Sequence, residues 1–474
     1  MQAQARGAAR RVLAALLLAG SWALPARPEP AAAAGEEFHV PVEYYKLPNG
    51  LRVVLSPDHT APTVCVGVYY RIGFRIEPKD RTGFAHLFEH MMFQGSQNLG
   101  KMEFIKLVQQ NGGILNGSTR FDFTNYFEVM PSNKLETVLW AESDRMNGLT
   151  VTEANLKNQQ GVVGNEVKVN VLNAPYGGFP WIDMPMAANS NWYNAHNFYG
   201  DLTDIEAAKL DEVQKFFQTY YAPNNAVLTI VGDFDPAEAK KMVERYFGPI
   251  KASQLPAQPD LTEPKQEKEK RVDKKDPLAP RPAVAVAYHM PDRNTSEYYA
   301  MGLLEQMLIE GDDSLLHEEL VQKRGLTDSV EGGINSLLGN MFNYNGPMLL
   351  MAHLTYDPTT KTETVIEAID TVVEPLRNKP VDQKSLDRAR VKLRSSLYDT
   401  MGQFGGFGLM DLLASFALFD DDPARVNTLV SQFEKVTPEE VQKTAQEYLR
   451  PTNRTIVTLE PAPKTAAEAP AKNQ

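Results

Sequence analysis

One short pattern occurs twice in this chain and constrains its fold more than any other feature. Residues 211–225 read DEVQKFFQTYYAPNN and residues 439–453 read EEVQKTAQEYLRPTN, with eight identities at a constant offset of 228 residues. Each copy predicts an amphipathic helix, a proline-containing turn and a buried strand, AVLTIV in the first copy and RTIVTL in the second. The matches indicate that one unit has been duplicated, with about 200 residues in each domain.

Composition places the boundaries of the two domains. Residues 252–282 contain many prolines and the run KQEKEKRVDKKD, so we expect a charged, proline-rich linker that buries no core. The first domain then spans residues 35–251, and the second spans residues 283–460 and begins with the apolar strand AVAVAYHM. Residues 461–474 are rich in Ala, Pro and Lys, and we expect this tail to be disordered.

Local patterns in the first domain predict the fold class. Residues 47–50, LPNG, predict a hairpin turn, residues 63–70 a core strand, and residues 113–130 a pair of strands. Residues 132–148 predict a helix capped by Ser132. Because hairpins outnumber strand–helix–strand alternations, we predict an α+β class in which each domain packs an antiparallel-rich sheet with helices.

Overall composition excludes several classes of function. The 474 residues include one cysteine, Cys65, which rules out a disulfide framework and a multi-cysteine metal cluster. Cys65 lies in the apolar run TVCVGVYY, which indicates a core residue and not a nucleophile. A formal net charge of −12 makes nucleic acid a poor partner. No run reaches the roughly 18 apolar residues of a membrane-spanning helix, so we expect no span.

The N-terminus is typical of a targeting segment. Residues 2–12 contain three arginines and no acid, and an apolar run of about 12 residues and a section rich in Pro and Ala follow. We expect residues 1–34 to be a signal peptide and the protein to be exported, with a bacterial periplasm fitting its single cysteine. The alternative is a transit peptide and the mitochondrial matrix.

The pattern that carries chemistry is HLFEH at residues 86–90. On a helix, His86 and His90 project from one face and can offer two imidazole nitrogens to one metal ion. Glu89 lies on the same side and can act as a base on water without being a ligand, as a hydrolytic zinc site requires. The order H-x-x-E-H is the inverted form of H-E-x-x-H.

The alternative without a metal site is that HLFEH belongs to a surface helix with a stripe of polar side chains. The apolar residues that flank the motif indicate a largely buried helix, in which three polar groups without a metal would be costly. A third ligand is needed, and the first domain contains several carboxylates, so position alone leaves its identity open.

Three segments together resemble the pitrilysin/insulinase family of zinc peptidases. They are HLFEH, GGILNGSTRFDFTNYF at residues 112–127 and NQQGVVGNEVKVN at residues 158–170. The similarity covers essentially the whole mature chain and is closest to two-domain subunits, such as the mitochondrial processing peptidase β subunit and bacterial periplasmic members. It implies two homologous domains that form a clamshell, and one Zn²⁺ per chain.

The resemblance also implies roles for individual residues. It places His86, His90 and Glu166 on the metal, with Glu166 in a predicted helix over residues 152–170, and it makes Glu89 the general base. The implied activity is zinc-dependent hydrolysis of peptide bonds in short or unfolded peptides.

The same resemblance implies that residues 112–119 form an edge strand that pairs with the peptide substrate. Substrate contacts are therefore expected at Gly113, Ile114, Leu115 and Asn116, with Asn116 close to the scissile bond. From the residues alone, the alternative for this asparagine is a turn residue before a glycine.

The sequence departs from the family pattern in both domains. Gln159 stands where many members have a second Glu, seven residues before the metal Glu. In the second domain, Leu315 and Asp328 occupy the positions of an Arg and a Tyr that bind substrate and stabilise the oxyanion. Arg324 is present nearby, but we interpret it as a charge at a helix C-terminus. The helix equivalent to that of HLFEH, over residues 298–309, contains no histidine.

These departures lead to a hypothesis about partners. We expect a homologous peptidase-like subunit without the metal motif, or a second copy of this chain, to supply the missing Arg and Tyr. The alternative function is a catalytically silent peptide-binding or scaffold subunit. The complete set of His86, Glu89, His90 and Glu166 favours the enzyme, because a silent subunit has no need of all four.

Overall fold

The computed structural model describes residues 39–79, 81–336 and 338–462, and the described residues from Val40 onward belong to one unit. The predicted signal peptide, residues 1–34, lies outside the described residues, as does the predicted disordered tail beyond residue 462. The unit contains two sheets packed with helices, which confirms the predicted α+β class with two homologous halves.

Six strands from the first half of the chain form the first sheet. They are β1 (Glu43–Lys46), β2 (Arg52–Pro57), β3 (Thr63–Tyr70), β4 (Ile114–Thr119), β5 (Thr124–Pro131) and β6 (Ala226–Gly232). Their spatial order is β1-β2-β6-β3-β5-β4, and only β2 and β6 pair in parallel. The predicted turn at residues 47–50, the core strand at residues 63–70 and the strand pair at residues 113–130 are confirmed.

Five strands form the second sheet. They are β7 (Lys270–Asp276), β8 (Ala283–His289), β9 (Glu331–Ile334), β10 (Leu349–Thr355) and β11 (Arg454–Pro461). Their order is β7-β11-β8-β10-β9, with β7 and β11 parallel. This order repeats β2-β6-β3-β5-β4 of the first sheet, so the two halves share one topology.

Helices from both halves cover the two sheets. They are α1 (Phe84–Met91), α2 (Glu103–Gln110), α3 (Leu135–Asn147), α4 (Glu153–Val167), α5 (Asp183–Ala188), α6 (Trp192–Ala195), α7 (Leu202–Ala207), α8 (Leu210–Tyr220), α9 (Pro236–Phe247), α10 (Ser296–Leu308), α11 (Leu315–His317), α12 (Thr362–Asn378), α13 (Gln383–Gly402), α14 (Phe407–Phe419), α15 (Leu429–Glu434) and α16 (Pro438–Tyr448).

The repeated sequence pattern folds in the same way in both halves. Helix α8, a 3-10 turn at Pro223–Asn225 and β6 are matched by α16, a 3-10 turn at Pro451–Asn453 and β11. The asparagine that ends each turn recurs because its side-chain amide donates a hydrogen bond to the last turn of the helix. Asn225 Nδ2 lies 2.9 Å from the Tyr220 carbonyl oxygen, and Asn453 Nδ2 lies 2.7 Å from that of Tyr448.

Each half supplies a helix to the sheet of the other half. From the second half, α14 packs on β2, β3 and β6, where Met410 contacts Gly67 and the Tyr69 hydroxyl donates to the Asp411 carboxylate at 2.8 Å. From the first half, α5 packs on β7, β8 and β11, where Met184 joins the alanines of β8 in one core cluster. The two halves therefore interlock, and neither sheet is covered by its own half alone.

The lone cysteine lies in this interlocked core. Cys65 is completely buried in β3, with its Sγ 3.4 Å from Met410 Sδ. Burial raises the pKa of the Cys65 thiol far above its usual value, so the sulfur stays protonated. The predicted core role of this residue is confirmed.

Two local predictions need correction. Residues 252–282 are not linker throughout, because Lys270–Asp276 forms strand β7 and pairs in parallel with β11. The side chains of this edge strand are mostly exposed to solvent, so charged residues there need not be desolvated. Its lysines and aspartates therefore show none of the alternation of apolar and polar residues that predicts a strand. Ser132 starts a 3-10 turn, Ser132–Lys134, and makes no cap for α3, which begins at Leu135. Pro461, predicted to open the tail, ends β11.

A fully buried ion cluster lies between the first sheet and α3. The Arg145 guanidinium donates to Glu142 on the same helix and lies 3.4 Å from Glu128 Oε1 on β5, while stacking over the Phe104 ring at 3.7 Å. Burial, together with the neighbouring Glu142, raises the pKa of Glu128. The adjacent Tyr126 hydroxyl donates to the Phe88 carbonyl at 3.1 Å, which ties this layer to α1.

One stretch of the described chain, Gln383–Phe419, is long and apolar enough by composition to cross a membrane. It comprises α13 and α14, and Phe404 and Gly405 interrupt it with non-helical backbone. Of its most apolar part, 56% is buried inside the fold, and the buried core helices of soluble proteins have the same length and composition.

Candidate metal centre

Helix α1 carries the HLFEH motif, and the carboxylate of Glu77, in the segment before it, binds its N-terminus. Glu77 is completely buried and accepts hydrogen bonds from the backbone N–H groups of Gly83, at 2.9 Å, and Ala85, at 2.6 Å. These donors belong to the first turn, which has no other side-chain cap. Burial raises the pKa of Glu77, while the nearby His196 imidazole and the hydrogen bonds from the two backbone N–H groups oppose that rise.

The structure brings His86, His90 and Glu166 together. The two Nε2 atoms lie 3.3 Å apart, and the Glu166 oxygens lie 3.5 Å from His86 Nε2 and 3.2 Å from His90 Nε2. Their ligand atoms all lie within 4.8 Å of one another, and no second group of this kind occurs among the described residues. His86 is buried, whereas His90 and Glu166 are half-buried and open toward solvent.

The helix that supplies Glu166 packs against α1. Helix α4 starts after Thr152, whose hydroxyl accepts from the Asn155 N–H at 3.2 Å, and it ends in a π-helical turn at Lys168–Leu172. The predicted helix over residues 152–170 is thus present. Gln159, two turns before Glu166, is buried and donates to Asn158 Oδ1 at 2.9 Å.

The electrostatics of the site suit a cation. The imidazoles of His86 and His90 hold the pKa of the Glu166 carboxyl well below its usual range, and the Tyr199 hydroxyl donates to the same carboxylate. Burial and the Glu166 carboxylate raise the pKa of Tyr199 above its usual value, so its hydroxyl stays a donor. Two imidazoles and a carboxylate, converging within a few ångströms, form a donor set that fits Zn²⁺.

Glu89 points toward the edge of the first sheet. The Thr119 hydroxyl donates to Glu89 Oε2 at 2.7 Å, and a Cβ on Gly117 would lie 3.3 Å from Glu89 Cγ. Both neighbours belong to β4, so this strand runs beside the carboxylate. Helix α1 therefore presents its two imidazoles to α4 and its glutamate to β4.

Strand β4 is the outermost strand on its side of the sheet and pairs only with β5. Ile114 and Asn116 are exposed, Leu115 is half-buried, and Gly113 immediately precedes the strand. The side chain of Asn116 accepts a hydrogen bond from the following N–H, that of Gly117, at 2.9 Å. Three of the predicted substrate residues thus lie on one open edge, whereas Gly113, next to it, is buried and its N–H donates to the Val108 carbonyl oxygen at 3.0 Å.

The second half keeps part of the motif. Around α10 the sequence reads AMGLLEQMLIEG, in which Leu303, Glu305, Met307 and Gly311 match Leu87, Glu89, Met91 and Gly95 of the first half. Gly302 and Gln306 replace the two histidines. A Cβ on Gly302 would lie 2.8 Å from Met341 Cε and 3.0 Å from Phe433 Cε1, so apolar side chains fill the place of an imidazole.

Glu305 was missed by sequence reasoning, although the shared pattern LxExM could have revealed it. It is buried, and its Oε1 accepts from the Ile334 N–H of β9 at 2.7 Å. Tyr199 was also missed, because nothing in its local sequence connects it to a residue on α4.

The positions expected for a substrate clamp carry other chemistry. Leu315 begins α11, and Asp328 is exposed and pairs with Arg281 at 2.8 Å. Arg324 directly follows the π-helical turn Glu318–Lys323 and pairs with Glu319 at 2.6 Å, as expected of a charge at a helix C-terminus.

Comparison with known proteins gives two family matches. Residues 52–175 match the family described as insulinase (peptidase family M16), and residues 207–393 match the peptidase M16 inactive domain. The chain is 27% identical over 434 residues to the zinc protease PqqE of Helicobacter pylori, covering 88% of this chain and 93% of the relative. It is 25% identical over 205 residues to the mitochondrial-processing peptidase subunit beta of Caenorhabditis elegans, covering 43% and 44%.

Solved structures share the fold. A protease from Helicobacter pylori has a TM-score of 0.81 at 26% identity and covers 89% of this chain and 100% of its own. The periplasmic protease PqqL of Escherichia coli has a TM-score of 0.71 at 17% identity, and the match covers 89% of this chain but 48% of PqqL. The second likeness shows the fold alone.

Proposed function

The chain belongs to the pitrilysin/insulinase family, and on that premise we propose that it is a zinc-dependent endopeptidase acting on short or unfolded peptides. The observation that carries the proposal is the convergence of His86, His90 and Glu166 from two helices, with Glu89 beside them. The relatives named as zinc proteases support the same conclusion.

In the proposed mechanism, His86, His90 and Glu166 hold one Zn²⁺. The ion, when bound, acts as a Lewis acid toward the scissile carbonyl and lowers the pKa of water. Glu89 accepts the proton of the attacking water and then returns it to the leaving amine as general acid. The Thr119 hydroxyl, 2.7 Å from Glu89 Oε2, orients this carboxylate for both transfers.

Substrate would bind as an added strand on β4. Residues 114–116 offer the open edge, with Gly113 next to it, and main-chain hydrogen bonds to this edge would hold an extended peptide with little dependence on sequence. Because β4 runs beside Glu89, a peptide on this edge would present its backbone to the base. Asn116, exposed on the strand, is the side chain we propose to contact the peptide near the scissile bond.

We further propose export to a bacterial periplasm. The basic and apolar start of the sequence supports this location, and PqqL, which shares the fold, is a periplasmic protease. The mitochondrial matrix is the alternative destination.

A partner subunit of the same fold is also proposed, either a homologue without the metal motif or a second copy. The chain matches the first half of PqqL with a TM-score of 0.69, covering 88% of this chain and 91% of that half, so a second unit of this size would complete a comparable assembly. Val162, Val169 and Leu172 are exposed along α4 and the turn after it, and an open cleft of about 560 Å³ runs beside Glu166. A partner would cover this apolar surface and supply the Arg and Tyr that Leu315 and Asp328 replace.

The test uses Glu89→Gln with Glu305→Gln as a matched control on the equivalent helix. We expect wild type and both variants to bind one Zn²⁺ by elemental analysis, because neither glutamate is a ligand. Cleavage of an unstructured peptide should fall by at least about 10²-fold in Glu89→Gln and stay at the wild-type rate in Glu305→Gln.

The opposite results are equally clear. The wild-type protein would be the silent peptide-binding subunit if it bound peptide but did not retain Zn²⁺ and did not cleave. This result must hold both for the chain alone and for the chain with a homologous subunit. Undiminished cleavage by Glu89→Gln would remove the proposed base.

A further inference from the structure

We propose that Tyr199 is a positioning residue of the metal centre, fixing the Glu166 carboxylate through its hydroxyl and the His86 ring through its own ring. This inference rests on the proposed function and assigns a role to a residue outside the HLFEH and Glu166 segments. Tyr199 lies in the loop between α6 and α7.

The first contact is with Glu166. The Tyr199 hydroxyl donates to Glu166 Oε1, which leaves Oε2 facing His90 Nε2 at 3.2 Å. Asn170 Nδ2, one helical turn beyond Glu166, donates to the Tyr199 oxygen at 3.3 Å. Because the hydroxyl oxygen accepts from Asn170, its own proton is directed at the carboxylate, which cannot rotate without losing this bond.

The second contact is with His86. The two rings stack with centroids 4.8 Å apart and an interplanar angle of 28°, and Trp181 packs edge-on against Tyr199 with centroids 5.1 Å apart. Ligand histidines are usually oriented by a hydrogen bond from their second nitrogen. His86 Nδ1 is buried and has no hydrogen-bond partner among the described residues, so the stacked ring is what sets its orientation.

The backbone next to Tyr199 is anchored to the start of α1. Gly200 and Gly83 both have positive φ and approach so closely that a Cβ on Gly200 would lie 2.4 Å from Gly83 Cα. The Asp201 N–H also donates to the Thr82 hydroxyl at 2.9 Å. Tyr199 thus joins the two ligand helices, with its backbone fixed to α1 and its hydroxyl fixed to α4.

The experiment compares Tyr199→Phe, which keeps the ring, with Tyr199→Leu, which loses both contacts. Tyr193→Phe, a tyrosine on the neighbouring α6, is the control for loss of a hydroxyl. Zinc affinity, measured by competition with a chromophoric chelator, should fall about 10- to 100-fold in Tyr199→Phe and further in Tyr199→Leu. Tyr193→Phe should match the wild type.

A spectroscopic measurement separates positioning from a loss of folding. In Co²⁺-loaded protein, visible absorption reports the ligand geometry, and we expect the band of Tyr199→Phe to shift while its metal-free thermal midpoint stays near that of the wild type. With saturating zinc, kcat should fall and KM should stay unchanged, because Tyr199 does not belong to β4.

The outcomes distinguish this inference from the proposed function. Wild-type protein without zinc affinity would overturn the metal centre itself. A wild-type protein that binds zinc, together with equal affinity and an equal Co²⁺ spectrum in Tyr199→Phe, would overturn the positioning role alone.

Discussion

In the first half of the molecule, α1 lies beside the edge strand β4, and the Thr119 side chain donates to Glu89. In the second half, α10 lies beside the edge strand β9, and the Ile334 backbone N–H donates to Glu305. The two glutamates occupy equivalent places with different surroundings. Glu89 has two histidines next to it on its helix, whereas Glu305 has Gly302 and Gln306.

The difference shows how a duplicated site loses one function and keeps another. The second half has no imidazole at Gly302, and Met341 and Phe433 fill the space, which avoids the cost of an empty buried cavity. Glu305 has a structural role, because its carboxylate accepts a hydrogen bond from the backbone of β9. The same side chain is proposed to move protons in one half and holds a strand in the other.

A second contrast concerns a buried position on the strand next to the edge strand of each sheet. In the first half, Glu128 on β5 belongs to the buried cluster with Arg145 and Glu142. On β10, which occupies the place of β5, the position that corresponds to Glu128 is Leu354, a buried apolar residue. At this position, therefore, the second half has an apolar side chain where the first half has a buried carboxylate.

The largest effect we expect from this contrast follows Arg145→Met. Removing the guanidinium leaves Glu128 and Glu142 buried without a cation, and the free energy of unfolding should fall by about 3–5 kcal/mol. Urea unfolding followed by circular dichroism measures this loss. Adding Glu128→Leu, in imitation of Leu354, together with Glu142→Leu should restore most of the stability. A loss below about 1 kcal/mol would show that the cluster is not desolvated.

A smaller loss is expected from Gly302→His, which gives the second half the histidine of the first. The imidazole must displace Met341 and Phe433, so the free energy of unfolding should fall by about 3 kcal/mol. The metal content should stay at one Zn²⁺ per chain. Gly302→Ala, which adds only a Cβ, is the matched smaller step. A second bound Zn²⁺ in the Gly302→His protein would contradict the view that the site has been filled.

The smallest of the three effects, when it is measured over one pH unit, is expected in Glu305→Gln. Burial raises the pKa of Glu305 to about 8, with nearby Glu310 adding to the rise. Between the unfolded pKa of 4.5 and this value, only the folded state keeps the proton, so the group lowers wild-type stability by about 1.4 kcal/mol per pH unit as pH rises.

Urea unfolding at pH 5, 6, 7 and 8 tests this contribution. Glutamine keeps the bond from Ile334 and does not titrate, so the stability of Glu305→Gln relative to the wild type should increase with pH. Glu310→Gln, at the exposed end of the same segment, is the control and should run nearly parallel to the wild type. Parallel profiles for Glu305→Gln would show that this carboxyl titrates normally.

Short-range sequence patterns were sufficient to predict much of the fold. The periodicity around His86 and His90 gave the helix that carries them, and the repeated helix–turn–strand unit gave two halves that the structure confirms. These features depend on residues within about 20 positions of one another, where hydrophobic spacing and turn residues determine the local structure.

Other features depend on contacts between distant segments. Spacing alone could not select Glu166 among the acids of the first half, because the choice depends on how α4 packs against α1. Strand β7 escaped detection because a charged edge strand has no pattern of burial. Tyr199 and the crossing of α5 and α14 between the halves are likewise encoded only in tertiary packing.

The crossing of α5 and α14 affects the order in which the protein can fold during synthesis. The face of the first sheet that includes Cys65 and Val231 is apolar and receives its cover from residues 407–419, near the end of the chain. A nascent chain that stops before α14 therefore leaves this face open to water and cannot complete its core. Completion of this part of the core therefore waits until nearly all of the polypeptide has been made, whereas the cluster built from residues 47–250 does not depend on α14.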